Sequence, residues 1–269
     1  MSSLAAISSW PVNSAAGAVI TGNGIVSHGD ITQIYALASV TKLLAAYGFL
    51  IAYEEGVWEL DTPAGPPGAT VKDLLCHRAG VGFDDRRPQR PVGERRIYSS
   101  AGYEILADIL SAETGMSCAQ YLKEAVFEPL GMRATELVGS AGHGANSTVQ
   151  DLLLFAQEVL NPQLLAPETV ALALQNHGGD IRGIVPGYGM QNPNLWGLGF
   201  EIKGTKNPHW TGVSMPANTA GHFGMTGTFL WLVPALKKAA VVLTDRQFGP
   251  WAKPLWSDFN ESLWQEISA

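Results

Sequence analysis

The sequence predicts an α/β (α+β) chain, an antiparallel sheet flanked by helices and interrupted by an inserted all-helical subdomain. Two observations carry this. Strand-like runs rich in β-branched residues lie near both ends of the chain, whereas the stretch 68–176 reads as a nearly strand-free helical block. Strands at opposite ends must pair with each other if one core is to close around a helical insert. The sheet unit is therefore expected to be discontinuous, 1–67 with 177–269, and the helical unit to span 68–176.

Gly17-Ala-Val-Ile-Thr-Gly-Asn-Gly-Ile-Val-Ser-His28 places two β-branched runs around an Asn23-Gly24 turn, a hairpin signal. A third extended piece, Ile31 to Leu37, leads into a helix. That helix carries Val40, Leu43, Leu44, Tyr47, Leu50 and Ile51 at helical spacing and stops at Gly56, a left-handed cap. A Pro/Gly-rich connector, Thr62 to Gly68, follows. Thr70 then caps a short helix that ends by Gly80.

Ala101 to Thr114 is amphipathic through Leu106, Ile109 and Leu110, and ends at Gly115. Ser117 caps a helix that runs through Phe127 and is expected to halt at Pro129. Ser147-Thr-Val-Gln150 fits a capping box ahead of Leu152–Leu160, with Asn161-Pro162 as its stop, and Pro167 opens a helix to Leu174. Strand character returns at Trp196–Ile202, Thr228–Val233 and Ala239–Thr244. A last helix carries Leu255, Phe259, Leu263, Trp264 and Ile267.

Hydrophobic content of 46% with 15% charged residues describes a packed globular chain. A net charge of −7 argues against nucleic-acid and anionic-membrane partners. No window approaches the ~18 apolar residues of a membrane span. The first ten residues carry neither the basic nor the apolar region of a secretory signal, so a cytoplasmic location is expected. Cys76 and Cys118 lie in apolar helical contexts and read as small core residues. His143, His177 and His209 fall in separate loops without metal-ligand spacing, so neither a metal nor a cofactor is expected.

Three segments carry chemistry. In Ala38-Ser39-Val40-Thr41-Lys42, Ser39 stands at the first turn of a helix, where backbone N–H groups are unused and the dipole favours negative charge. Lys42, three residues on, shares its helical face. The pair supplies a nucleophile, an adjacent amine and part of an oxyanion hole, although an N-capping serine followed by a surface lysine would read the same. In Ile97-Tyr98-Ser99-Ser100-Ala101-Gly102-Tyr103, a tyrosine beside an ammonium group is expected to shift toward the phenolate and shuttle protons. Gly221-His222-Phe223-Gly224-Met225-Thr226-Gly227 offers glycines beside a strand and main-chain N–H donors. Taken singly, Tyr98 also reads as a turn aromatic and His222 as a strand-edge histidine.

In this order the segments resemble the β-lactamase-related serine hydrolases, the class C β-lactamases, DD-peptidases and esterases of one fold. Ala38–Lys42 matches the Ser-x-x-Lys segment. Tyr53–Asp61 resembles the stretch that follows it, and Leu74-Leu-Cys-His-Arg-Ala-Gly80 is similar to Leu-Leu-Thr-His-Thr-Ser-Gly. Tyr98-Ser-Ser-Ala-Gly-Tyr103 follows Tyr-Ser-Asn-x-Gly-Tyr. Phe127–Met132 and Trp196-Gly-Leu-Gly199 echo two further landmarks, and Gly221-His-Phe-Gly224 is similar to a His-x-Gly third motif.

The resemblance implies a β-lactamase/transpeptidase-like fold with its active site at the junction of the two units. It implies Ser39 as acylated nucleophile, Lys42 and Tyr98 as general base and acid, and the N–H groups of Ser39 and Met225 as oxyanion hole. Ser100, His222 and Gly224 would line the substrate. Ser100 departs from the family pattern, which has asparagine there to bind an amide side chain, and this points away from amides. The expected activity is hydrolysis of small carboxylic esters, with a D-Ala-D-Ala carboxypeptidase or weak class C-like β-lactamase as the alternative and an inactive binding protein third. The expected partner is a small ester or amide substrate. His77 is read as a structural helix-end residue and Asp84-Asp-Arg-Arg87 as a solvated loop. Trp210 is open between packing and substrate contact.

Overall fold

A computed structural model describes residues 2–268, so Met1 and Ala269, the outermost residues of the predicted sheet unit, lie outside the description. A short helix α1 (Ser2–Ala5) and a 3-10 turn, Ala6–Ser9, precede the hairpin of β1 (Ala15–Thr21) and β2 (Gly24–His28). Thr21 pairs with Gly24, so the turn residues are Gly22 and Asn23, one position earlier than expected. Of the expected extended piece Ile31–Leu37, only β3 (Tyr35–Ala36) is strand.

A 3-10 turn, Ala38–Val40, feeds α2 (Thr41–Glu54), and Gly56 follows its end at φ 75°. Every residue of α2 from Thr41 to Ala52 is buried, the pattern of a central helix covered on all sides. Helix α3 (Val71–Leu75) starts with a reciprocal capping box between Thr70 and Asp73. Helix α4 (Ala101–Thr114) ends at left-handed Gly115, and α5 (Cys118–Leu122) is capped by the Ser117 hydroxyl.

Pro129 does not halt this last helix. A wider π turn, Lys123–Phe127, carries the chain into α6 (Glu128–Leu130), which stops at left-handed Gly131. In regular α register the proline ring would collide with the carbonyl four residues back, and the wider turn relieves that collision.

The expected strand-free block contains two short strands, β4 (Glu136–Leu137) and β5 (Ala145–Ser147), which join β3 in the order β3-β5-β4. Strands this short have no readable period. Helix α7 (Val149–Leu160) is capped by Thr148, whose hydroxyl accepts from Asp151 N–H, not by the expected Ser147 box. The Ser147 hydroxyl instead shares a 2.7 Å hydrogen bond with Thr135.

Helix α8 (Pro167–Ala173) leads to an unanticipated hairpin of β6 (Gly183–Val185) and β7 (Gly189–Gln191). Only β8 (Glu201–Ile202) of the expected Trp196–Ile202 is strand. The glycine-punctuated segment read as lying beside a strand is itself β9 (Ala220–Gly224). β10 (Thr228–Val233), β11 (Lys238–Thr244) and α9 (Ala252–Ser268) complete the chain.

The main sheet runs β2-β1-β11-β10-β9-β8, so strands from the two ends of the chain meet at its centre. β1 pairs antiparallel with β11 (Ala18 opposite Val241), and β10 with both β11 and β9. Side chains alternate between two cores. Leu230, Leu232, Val241 and Leu243 face the core built on α2, α4 and α7. Phe229, Trp231, Val233 and Val242 face a second core with Trp256, Phe259 and Leu263 of α9. Burial of both faces explains why β10 and β11 read as continuous apolar runs. No helix among the described residues is long and apolar enough to cross a membrane.

Candidate active site

Ser39 lies in the 3-10 turn ahead of α2, with its side chain buried except for a small exposed part. The turn is held by the end of β9 and the start of β10. Thr226 and Thr228 hydroxyls donate to the Ala36 and Leu37 carbonyls at 2.6 and 2.9 Å. Gly224 is required for this approach, because a Cβ there would stand 2.2 Å from the Leu37 carbonyl oxygen. Ala38 has φ 45°, a left-handed conformation that costs a non-glycine residue ~1 kcal/mol or more. That strain turns the chain at the residue before Ser39. Neither Ser39 N–H nor Met225 N–H has a backbone acceptor among the described residues.

One helical turn on, Lys42 is fully buried. Its amine donates to Ser100 Oγ at 3.1 Å and to the Gly142 carbonyl at 2.7 Å, and it stands 4.5 Å from the centre of the Tyr98 ring. Burial pulls its pKa down to about 7, with the Glu104 carboxylate opposing the shift. Ser100 thus holds the lysine through its one hydroxyl oxygen. Gly142 is the partner the sequence did not reveal. A Cβ at Gly142 would lie 2.8 Å from Ser100 Cβ, so the two backbones touch.

Tyr98 departs from its expected ionisation. Its hydroxyl is buried without a hydrogen bond of regular geometry. Burial drives the phenol well above its ordinary pKa, and the Ser39 hydroxyl offsets only part of that rise. The expected push toward phenolate fails because desolvation dominates and the Lys42 amine lies over the ring face, bonded to Ser100 and Gly142 and not to the phenol oxygen. His77, read as a helix-end residue, packs its ring against Tyr98 in a tilted arrangement at 4.7 Å and accepts Ser99 N–H through Nδ1, so it braces the tyrosine turn.

His222 points one ring nitrogen, Nδ1, at the Phe223 carbonyl 2.7 Å away, so Nδ1 carries the proton. Its Nε2 is buried and unpartnered. Burial, aided by Lys42, lowers its pKa to about 3, so the ring is neutral.

Ser39, Tyr98, His222 and Met225 meet around one cavity of about 390 Å³, walled also by Phe83, Val185, Pro186, Trp196, Glu201 and Phe223. Lys42 and Ser100 lie behind Tyr98, and Gly224 lies against the Ser39 turn. Trp210 is outside the cavity, packed on Phe223 and Phe229. Asp85 and Arg87 form an exposed pair in the expected solvated loop. Phe83, two residues earlier, is the cavity residue missed there.

Glu201 is the main residue the sequence reading passed over, although a lone acid in an apolar run was a signal. Its carboxylate accepts from Lys206 at 3.1 Å, His209 at 3.2 Å and the Trp210 indole at 2.8 Å, and all of these groups are buried. Burial alone would raise its pKa, but these partners together hold it well below the carboxylate range. No group of three or more His, Cys, Asp or Glu among the described residues could hold a metal ion.

Comparison with known proteins gives this geometry a family. Residues 14–259 match the family model described as Beta-lactamase. The chain is 45% identical to a beta-lactamase from Mycobacterium bovis over 99% of this chain and 100% of that one, with a TM-score of 0.97. EstCE1, a hydrolase with promiscuous acyltransferase activity, shares the fold at TM-score 0.77 and 16% identity, covering 95% of each chain. An Escherichia coli protein described as "Putative D-alanyl-D-alanine carboxypeptidase" is 24% identical over 72% of this chain, which spans 61% of that relative's length. The chain belongs to the beta-lactamase family of serine hydrolases.

Proposed function

We propose that this hydrolase cleaves small, uncharged carboxylic esters through a covalent acyl-enzyme on Ser39. The observation that carries the reading is the character of the cavity wall. Phe83, Val185, Pro186, Trp196, Phe223 and Met225 make it apolar, and its one acidic member is Glu201. His222, neutral, offers no positive charge. A substrate carrying a carboxylate, such as a β-lactam or a peptide ending in D-Ala, would find no free cation on this wall, whose one charged member, Glu201, is already paired with Lys206.

In this reading Lys42, whose pKa burial lowers to about 7, takes the Ser39 proton in its neutral form as Oγ attacks the ester carbonyl. The N–H groups of Ser39 and Met225 receive the oxyanion. Tyr98, which keeps its proton, donates to the departing alkoxide and is reprotonated from the Lys42 ammonium. Water then attacks the acyl carbon as Lys42 takes one of its protons, the bond to Ser39 Oγ breaks, Lys42 returns that proton to Oγ, and a carboxylic acid leaves. Ser100 and Gly142 hold the lysine for both steps. The reading also treats the chain as a sheet unit, 1–67 with 177–269, and a helical unit, 68–176, with the site at their junction.

The second reading, a D-Ala-D-Ala carboxypeptidase or β-lactamase, draws on the names of the Escherichia coli and Mycobacterium bovis relatives. Intact-mass measurement of acylation by p-nitrophenyl esters, by a D-Ala-D-Ala peptide and by a penicillin separates the two. Neutral esters should acylate and turn over fastest, and Ser39→Ala should lose about a thousandfold or more. Equal rates in parent and variant overturn the serine mechanism. Faster acylation by the peptide or the penicillin overturns the ester assignment.

A further inference from the structure

A second and larger cavity, of about 580 Å³, lies on the other side of the Glu201 cluster. Its volume is in the range of small-molecule sites, roughly 300–1,000 Å³. Lys203, Lys206 and Lys253 line it together with Thr205, His209 and Ser257, and no acidic residue does. In a chain with eight lysines and a net charge of −7, three lysines around one cavity without a carboxylate is an uneven distribution of charge.

Lys206 is already neutralised by Glu201. Lys203 is not. Its residue is only 9% exposed, and its ammonium makes one hydrogen bond, to the Val213 carbonyl at 3.2 Å. Among the described residues neither Lys203 nor Lys253 forms a salt bridge. Glu261, the carboxylate that acts on Lys203, is engaged by Ser214 N–H and by the Gln265 amide, each at 2.8 Å. The Lys203 ammonium therefore keeps unused donors, and its one neighbouring carboxylate stays beyond salt-bridge distance and is shared with other donors, which leaves it open to a further anion. Tyr188, Pro208, Val213 and Pro254 supply an apolar side to the same space.

We infer that this cavity binds a small organic oxyanion, a carboxylate or a phosphate attached to an apolar body, between Lys203 and Lys253. The site is distinct from the catalytic cavity, and the inference does not depend on the ester reading. The two cavities share a wall, because Lys206 and His209 line this one while holding Glu201, which lines the other.

Calorimetric titration of the full chain with inorganic phosphate and with benzoate, at constant ionic strength in sodium chloride, tests this. One molar equivalent of at least one anion should bind, and Lys203→Met and Lys253→Met should each weaken it by about tenfold, the effect of losing a charge-assisted contact. Benzoate binding above phosphate assigns a carboxylate ligand, and the reverse order a phosphorylated one. Lys253 is exposed, so its variant keeps the test intact even if Lys203→Met fails to fold. Binding of neither anion, or binding unchanged in Lys253→Met, overturns the inference.

Discussion

Replacing Glu201 by glutamine preserves the side-chain shape and removes one charge from a cluster whose Lys206 and Glu201 side chains are 0% and 2% exposed. The Lys206 ammonium would keep its hydrogen bonds to the Leu195 and Ile202 carbonyls at 2.8 and 2.6 Å, but it would lose its counter-ion. Breaking one side of a buried pair costs ~3–5 kcal/mol, and the two remaining carbonyls place this case at the lower end. At ~2–4 °C per kcal/mol for a chain of this size, a loss of ~3 kcal/mol lowers Tm by ~6–12 °C.

The loss should depend on pH in a definite direction. Burial already brings Lys206 from 10.5 down to about 8, with Glu201 opposing that fall. Without Glu201 the folded lysine releases its proton earlier still, while the unfolded one retains it. The unfolded chain then binds more protons across that interval, so stability rises with pH. Urea unfolding of Glu201→Gln should therefore show a deficit that shrinks between about pH 6 and about pH 9. Adding Lys206→Met should recover most of it, since the unpaired charge is gone. A loss under ~1 kcal/mol, a deficit flat in pH, or no recovery in the double variant would refute this account of the cluster.

The ascending limb of kcat/KM against pH should have its midpoint near pH 7, where Lys42 loses its proton, and the phenol of Tyr98 should impose no limb in the same range. A rise centred near pH 10 would mean that Lys42 is not the base. Gly142→Ala should push Ser100 and the Gly142 carbonyl away from Lys42, lowering kcat by about tenfold or more while circular dichroism stays unchanged. Gly224→Ala should be worse for stability, since its Cβ would enter the Leu37 carbonyl, and a Tm within a degree or so of the parent would contradict that packing. In Glu201→Gln, acylation by carboxylate-bearing donors should rise relative to neutral esters, measured as a ratio of kcat/KM values. An unchanged ratio would remove Glu201 from the explanation of selectivity.

The elements that could be read in advance share a physical property. β10, β11 and α2 are long, and their burial pattern is imposed by the two cores, so hydrophobicity alone marks them. The caps at Thr70, Ser117 and Gly115 are local chemistry and stand where the residues put them. The errors occur where local signals are absent or overridden. β4 to β7 span two or three residues each and exist only through their partners. Pro129 is tolerated because a π turn absorbs it. Ser147 gives its hydroxyl to Thr135 and leaves the cap to Thr148.

By itself the sequence determined the helix that carries Lys42 just after Ser39, the strands at both ends that must meet, and the order of the three motifs. These follow from spacing within a few residues and from the need to bury apolar runs. Tertiary structure alone decided which groups hold the lysine, because Ser100 and Gly142 stand 58 and 100 residues away from it. It also decided the charges of the site. The Lys42 pKa falls to about 7, Tyr98 keeps its proton and Glu201 stays ionised because of how deeply each is buried and what it faces. Desolvation depends on every element packed around a group, and no window of sequence contains it.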